Sequence, residues 1–253
     1  MRNKIKFFRT SKKRSIRFEL VNENKPIILI FFHGFMSNME GTKPTTLRKF
    51  CKTHKIGFLR FEYSGHGKSS GNFIDGNISK WSEDSKELIK AKIKKGKKII
   101  FVGSSMGSWI SLKISKFFKS QLCAFVGIAS APEFTEELMW KKFNSNLKKE
   151  INTKGIIEIK NDYGSTYPIT KQLIFDGRKN KIFNNLKLNL PVSLFHGTND
   201  KSVPIKYSLK TLAIFKSSYK KFFKIKKGDH SLSRKMDLRK IQLEIKCLIK
   251  NIS

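Results

Sequence analysis

Acidic side chains are scarce in this chain: 19 Asp and Glu stand against 53 Lys and Arg, a formal net charge of +34. An excess of that size attracts phosphate from a distance, so nucleic acid and anionic membranes are the first partners to weigh. A nucleic-acid binder gathers its basic residues on one arm or face, whereas these lysines are scattered through every segment. The chain is also rich in Ile, Asn and Phe, whose codons are AT-rich like those of Lys. The charge therefore reads as compositional bias, and no specific nucleic-acid partner is expected. Cysteine is scarce too. Cys51, Cys123 and Cys247 are odd in number, widely spaced and free of any CxxC pair. That argues against a disulfide framework or a zinc site and suits small buried thiols in a reduced, cytoplasmic protein. Long apolar runs are missing: the longest, IILIFF at 27–32, falls far short of the ~20 residues that span a bilayer, so no integral membrane association is expected. The basic start MRNKIKFFRTSKKRS lacks an apolar signal core and soon passes into strand-like SIRFEL, leaving little room for a removable presequence. No His, Cys and carboxylate spacing suggests a metal, and no cofactor is expected.

What is present is a core. With 39% apolar and 12% aromatic residues in 253, the chain is globular and long enough to bury one. Short apolar runs at 15–20, 26–32, 57–63, 98–102, 122–129, 192–195 and 220–225 read as strands. Several are continuous rather than alternating, as in strands buried on both faces of a parallel sheet. Amphipathic stretches at 45–54, 78–95, 106–118, 205–215 and 234–251 read as helices between and after them. The alternation predicts an α/β fold with a mostly parallel central sheet flanked by helices. The rhythm breaks from about 133 to 188, where no clean strand appears. That stretch is expected to be a helical cap inserted over the sheet's C-terminal edge, in a single domain covering 1–253.

Chemistry gathers at GSSMG, which fits G-x-S-x-G with Ser105 at its centre, between strand-like KKIIFV and helix-like MGSWISLKISKFF. A tight strand-to-helix turn strains its serine, tolerates only small neighbours and presents the hydroxyl at a helix N-terminus. Ser104 and Ser108 then read as small fillers of that turn. A serine hydroxyl needs a base, and of five histidines only His230, in KKGDHSLS, follows in the order serine, acid, histidine. Asp200, in PVSLFHGTNDKSVP, is the expected acid; Asp229 is its rival, but adjacent residues seldom aim side chains at each other. Gly34 after IILIFF allows a turn that would aim the Phe35 amide inward, and the Met106 amide would be the second donor of an oxyanion hole. Gly67-Lys68-Ser69 looks like the end of a P-loop, but Glu62 stands where that motif requires glycine.

With these residues in this order, the chain resembles the α/β-hydrolase superfamily. GFMSNMEGTK, FLRFEYSGHGKSSGNF, Trp81 and Asp84 of WSEDS, GSSMGSW and HGTNDKSVP make it similar to the abhydrolase-domain palmitoyl-protein thioesterase and acyl-glucuronide esterase group and its bacterial relatives. The likeness runs from about Pro26 to His230 and is looser in the cap, where YPITKQLI is its best part. It departs at His33, before the oxyanion glycine, and at Ser108, where the group has glycine. The resemblance implies a serine hydrolase of thioesters or carboxylic esters with Ser105, Asp200 and His230 as triad, acting on small-molecule or acylated-protein substrates. Phe134, Leu138, Met139, Trp140 and Phe143 of the cap are candidates for an acyl-chain wall. A serine peptidase on the same fold, and a basic non-catalytic binding protein, remain the alternatives.

Overall fold

The computed structural model describes residues 5–160 and 166–252. Among these residues, ten strands and seven α-helices follow one another: β1 (Lys6–Arg9), β2 (Ser15–Val21), β3 (Ile27–Phe32), α1 (Thr42–Thr53), β4 (Gly57–Phe61), α2 (Ile78–Lys92), β5 (Lys98–Ser104), α3 (Met106–Ile114), β6 (Leu122–Ile128), α4 (Ser145–Lys154), β7 (Ile156–Lys160), β8 (Thr166–Thr170), α5 (Lys171–Lys179), β9 (Val192–Gly197), α6 (Lys206–Leu212), β10 (Lys220–Ile225) and α7 (Lys235–Ile252). Eight strands form one sheet in the order β1-β2-β4-β3-β5-β6-β9-β10. From β4 to β10 every neighbour is parallel; only β1 and β2 run against their partners.

The continuous apolar runs are explained by burial on both faces. In β3, Ile28, Ile30 and Phe32 join the core beneath α2 and α3. Their alternates Ile27, Leu29 and Phe31 pack with Leu47 and Phe50 of α1 and Ile241, Ile245 and Leu248 of α7. The period of two divides the strand between two cores, each sealed by amphipathic helices.

Three expectations need correction. The stretch between β6 and β9 is not purely helical. It holds a π-helical turn (Thr135–Met139), then α4, and a two-stranded antiparallel sheet of β7 and β8 ahead of α5. Pro168 hides β8 in the sequence, but a two-stranded sheet leaves each strand a free edge, where a residue without N–H is tolerated. Residues 161–165 of this excursion lie outside the described residues. The edge strand β1 was also unforeseen, being short and largely exposed. The cysteines are not uniformly buried thiols: Cys51 is buried, Cys123 half-buried and Cys247 exposed.

Several of the few acidic residues sit in buried ion pairs. Glu19 of β2 faces Arg60 across the β2–β4 ladder, and its carboxylate accepts from Arg60 Nε at 2.8 Å and Arg48 Nε at 2.7 Å. Burial alone would raise the Glu19 pKa, but Arg48 and Arg60 outweigh it and hold the group below the usual carboxylate range. Since the folded value lies below the unfolded one, the stabilisation is full above the unfolded pKa. It is lost as pH falls toward the folded value. Glu19→Gln is therefore expected to lower the melting temperature most near neutral pH, with the gap from wild type closing below about pH 4. Thermal melts from pH 7 to pH 3 check this; a gap constant with pH would contradict it.

Candidate active site

Every residue of the expected site lies at the C-terminal end of a parallel strand. Ser105 joins β5 to α3 with φ 52° and ψ −118°, a region that non-glycine residues enter only under strain. The turn is held from all sides. The Ser105 N–H donates to Ile128 O at 2.9 Å, and its carbonyl accepts from the Ala131 N–H at 3.3 Å. A Cβ on Gly107 would stand 2.1 Å from Phe32 O, so α3 can lie against β3 only because that side chain is absent. Ser108 has a structural reason to differ from glycine: its hydroxyl donates to Gly103 O at 2.9 Å and accepts from Ser130 at 3.0 Å.

His230 lies in the turn between β10 and α7, and Asp200 in the turn after β9. The structure brings both to Ser105. His230 Nε2 is 3.1 Å from Ser105 Oγ, and His230 Nδ1 is 2.8 Å from Asp200 Oδ2. A carboxylate can only accept, so Nδ1 carries the proton and Nε2 is left to accept from the serine. Asp200 is buried. Burial would raise its pKa, but the hydrogen bond and charge of His230, the Val203 N–H and His196 reverse the sign and hold it below the usual range. Its Oδ1 accepts from the Ser202 and Val203 N–H groups at 3.0 and 2.8 Å. The rival Asp229 is occupied elsewhere: its Oδ1 accepts from the Leu232 N–H at 2.9 Å and from the Ser231 hydroxyl at 3.1 Å.

Gly34 and Phe35 follow β3 and reach the same place. A Cβ on Gly34 would sit 3.4 Å from Ser105 Cβ. Met106 is the first residue of α3, so its N–H has no acceptor within the helix. Gly34, Phe35, Ser105 and His230 line one cavity of about 240 Å³. Outside the lining of that cavity, Phe35 also meets an aromatic cluster of Phe73, Phe134 and Tyr167, with ring centroids 5.0, 5.4 and 6.0 Å from it. Of the expected acyl-wall residues, Phe134 thus stands against Phe35. Trp140 instead packs on Phe143, Phe175 and Arg178.

Sequence reading missed His196. It is fully buried, with Nε2 2.8 Å from Val203 O and 3.3 Å from Asp200 Oδ2, and Nδ1 2.7 Å from Ser208 Oγ. Nε2 must donate to the carbonyl, and burial lowers the His196 pKa and favours the neutral ring, whose Nδ1 then accepts from the Ser208 hydroxyl. His196 props the acid from beneath. Its only sequence signal was a histidine at the end of a buried strand. His33 and His66 form a second buried pair, ring centroids 5.0 Å apart. Burial drives His33 well below the usual histidine range and His66 down to about 4, so both are neutral. Among the described residues, no group of three or more His, Cys, Asp or Glu is arranged to hold a metal ion, and no helix is long and apolar enough to cross a membrane.

The glycine-rich motif at 64–71 turns out to be a structural anchor. Asp84 of α2 accepts from the Ser64 N–H at 3.0 Å, the Ser64 hydroxyl at 2.6 Å and Arg14 Nε at 2.6 Å. Trp81 Nε1 donates to Ser64 O at 3.0 Å. Glu62, the residue that breaks the P-loop pattern, accepts instead from Arg17 and the Lys68 N–H.

A strand order with this crossover, a strained serine between β5 and α3, and an acid and a histidine after the last two parallel strands define an α/β-hydrolase. The chain belongs to the hydrolase family whose model is described as serine aminopeptidase, S33, which matches residues 23–171. It is similar to the mitochondrial palmitoyl-protein thioesterase ABHD10 of Pongo abelii, 30% identical over 231 residues that cover 89% of this chain and 74% of the relative. The same protein of Rattus norvegicus is 29% identical over 252 residues, 98% of this chain and 84% of the relative. Among solved structures, mouse alpha/beta hydrolase domain-containing protein 10 superposes with a TM-score of 0.89 at 28% identity, covering 99% of this chain and all (100%) of that one. A bacterial chain from Agrobacterium vitis S4 superposes with a TM-score of 0.91 at 30% identity, over 98% and 100% of the two chains.

Proposed function

We propose that this hydrolase cleaves acyl thioesters or carboxylic esters through a Ser105–His230–Asp200 triad and an acyl-enzyme. The observation that carries the reading is the unbroken relay from Asp200 through His230 to the hydroxyl of a strained serine, at 2.8 and 3.1 Å. Ser105 attacks the acyl carbonyl while His230 Nε2 takes its proton, and Asp200 stabilises the imidazolium and fixes its tautomer. The carbonyl oxygen becomes an oxyanion, to which we assign the Phe35 and Met106 amides as donors. His230 then returns the proton to the departing thiol or alcohol, and a water that it activates releases the acid. The excursion between β6 and β9, about 133–188, is read as a cap within a single domain. Its Phe134 and Tyr167 against Phe35 favour an apolar acyl group on that side.

Thioesters enter the reading from the relatives, whose names give palmitoyl-protein thioesterase as their activity. An aminopeptidase, the activity in the family's description, needs a carboxylate to hold the substrate's terminal ammonium. Among the described residues no Asp or Glu lines the cavity beside Ser105, and a lysine does. An ammonium there would be repelled.

The test is labelling with a fluorophosphonate, located by peptide mass spectrometry, followed by acyl thioesters and esters of increasing chain length. Label on Ser105 with turnover of these substrates is expected. Salt-sensitive binding of nucleic acid or anionic lipid with no label would favour a non-catalytic basic protein instead.

A further inference from the structure

The cavity beside Ser105 is lined by a cation that forms no ion pair among the described residues. Lys43 is the one lysine or arginine among the described residues of its wall, which otherwise carries hydroxyls from Ser37, Thr42, Ser104, Ser231 and Ser233. Lys43 stands in the first turn of α1, which has no acidic residue there. The helix dipole disfavours a cation at that end. Half-buried, its ammonium donates to Ser231 O and forms no ion pair among the described residues. Burial pushes the Lys43 pKa down to about 8, and Asp229 pulls it back only in part. Asp229 itself is committed to the Leu232 N–H and Ser231 hydroxyl. An ammonium that lines the cavity of Ser105 and His230 and forms no ion pair is free to receive an anion there.

The reaction decides which part of the substrate that anion belongs to. The group that departs must lie within reach of His230, since His230 returns its proton. His230, Ser231 and Lys43 line the same cavity, whereas Phe73, Phe134 and Tyr167, packed against Phe35, are not part of its lining. The leaving group therefore belongs in the polar cavity and the acyl chain against the rings.

We propose that Lys43 selects the leaving group: the cavity favours esters and thioesters whose departing portion carries a carboxylate or phosphate, held by the Lys43 ammonium. The proposal rests on the serine-hydrolase reading above, and its test separates the two. S-octanoyl 3-mercaptopropionate and S-octanoyl 3-mercaptopropionamide share an acyl chain and differ in one charge. Wild type is expected to favour the carboxylate by about tenfold in kcat/KM, Lys43→Met to bring the ratio near one, and Lys43→Arg to restore much of it. The measured quantity is the ratio, so a general loss of rate does not imitate the result. An unchanged ratio in Lys43→Met, even with both rates reduced, would mean that Lys43 only holds the His230 loop through Ser231, and the proposal would fall. A wild type without preference overturns it as well, and leaves the hydrolase reading intact. No hydrolysis of either thioester together with no fluorophosphonate label on Ser105 overturns both.

Discussion

Ser105→Ala is expected to lower kcat/KM toward p-nitrophenyl and acyl-CoA substrates by about 10⁴-fold or more, without unfolding the protein. The substitution removes one atom, and that atom's hydrogen bond is to His230. The turn survives because backbone holds it: Ser105 N–H to Ile128 O, and Ala131 N–H to Ser105 O. Alanine suffers the same strain at φ 52° as serine does, so the melting temperature should stay close to that of wild type. Residual rate above the uncatalysed reaction would come from the oxyanion donors and from binding, which the substitution leaves in place. Ser105→Gly separates chemistry from strain. It should be equally inactive yet more stable by about 1 kcal/mol, because glycine enters the positive-φ region freely. Steady-state kinetics and thermal melts on the same preparations test both, and Ser105→Ala retaining a tenth of the activity would sink the mechanism.

The largest effect on stability is expected at Asp84→Ala. Asp84 is fully buried and joins three segments: α2 that carries it, the 64–71 turn through Ser64, and the β1–β2 turn through Arg14. Removing the carboxylate leaves the Arg14 guanidinium, itself mostly buried, with Glu83 alone, and leaves the Ser64 N–H without an acceptor. Breaking one side of a buried ion pair costs about 3–5 kcal/mol. In a chain of this length that is a fall of roughly 10 °C in melting temperature. Asp84→Asn keeps an acceptor for Ser64 and should lose less. Hydrogen exchange at the Ser64 amide should rise in Asp84→Ala more than at amides of β3 or β5. A loss below about 1 kcal/mol would show that the carboxylate is dispensable.

Much of this was legible in the sequence, for local reasons. A doubly buried strand is a continuous apolar run, and a serine turn between strand and helix requires small residues around it. The order serine, acid, histidine ruled out four of five histidines without any coordinates. What stayed hidden depends on how the chain folds back in space. β7 and β8 define each other only by pairing, with Pro168 in the second of them. His196 looks like any histidine ending a strand until Val203 and Asp200 fold back onto it. Lys43 is one lysine in a lysine-rich chain, and nothing near it in sequence reveals a missing counter-ion.

The sequence by itself determined the alternation of strand and helix, the tight turn at Ser105, and the chain order in which a serine, an acid and a histidine are to be sought. These follow from hydrophobic periodicity and turn chemistry, which act over a few residues. Only the tertiary structure decided that Asp200 rather than Asp229 meets His230, that the glycine-rich turn is an anchor for buried charge, and that Lys43 shares a cavity with Ser105. Those outcomes depend on distance and desolvation between residues remote in the chain, and neither exists until the sheet has closed its two cores.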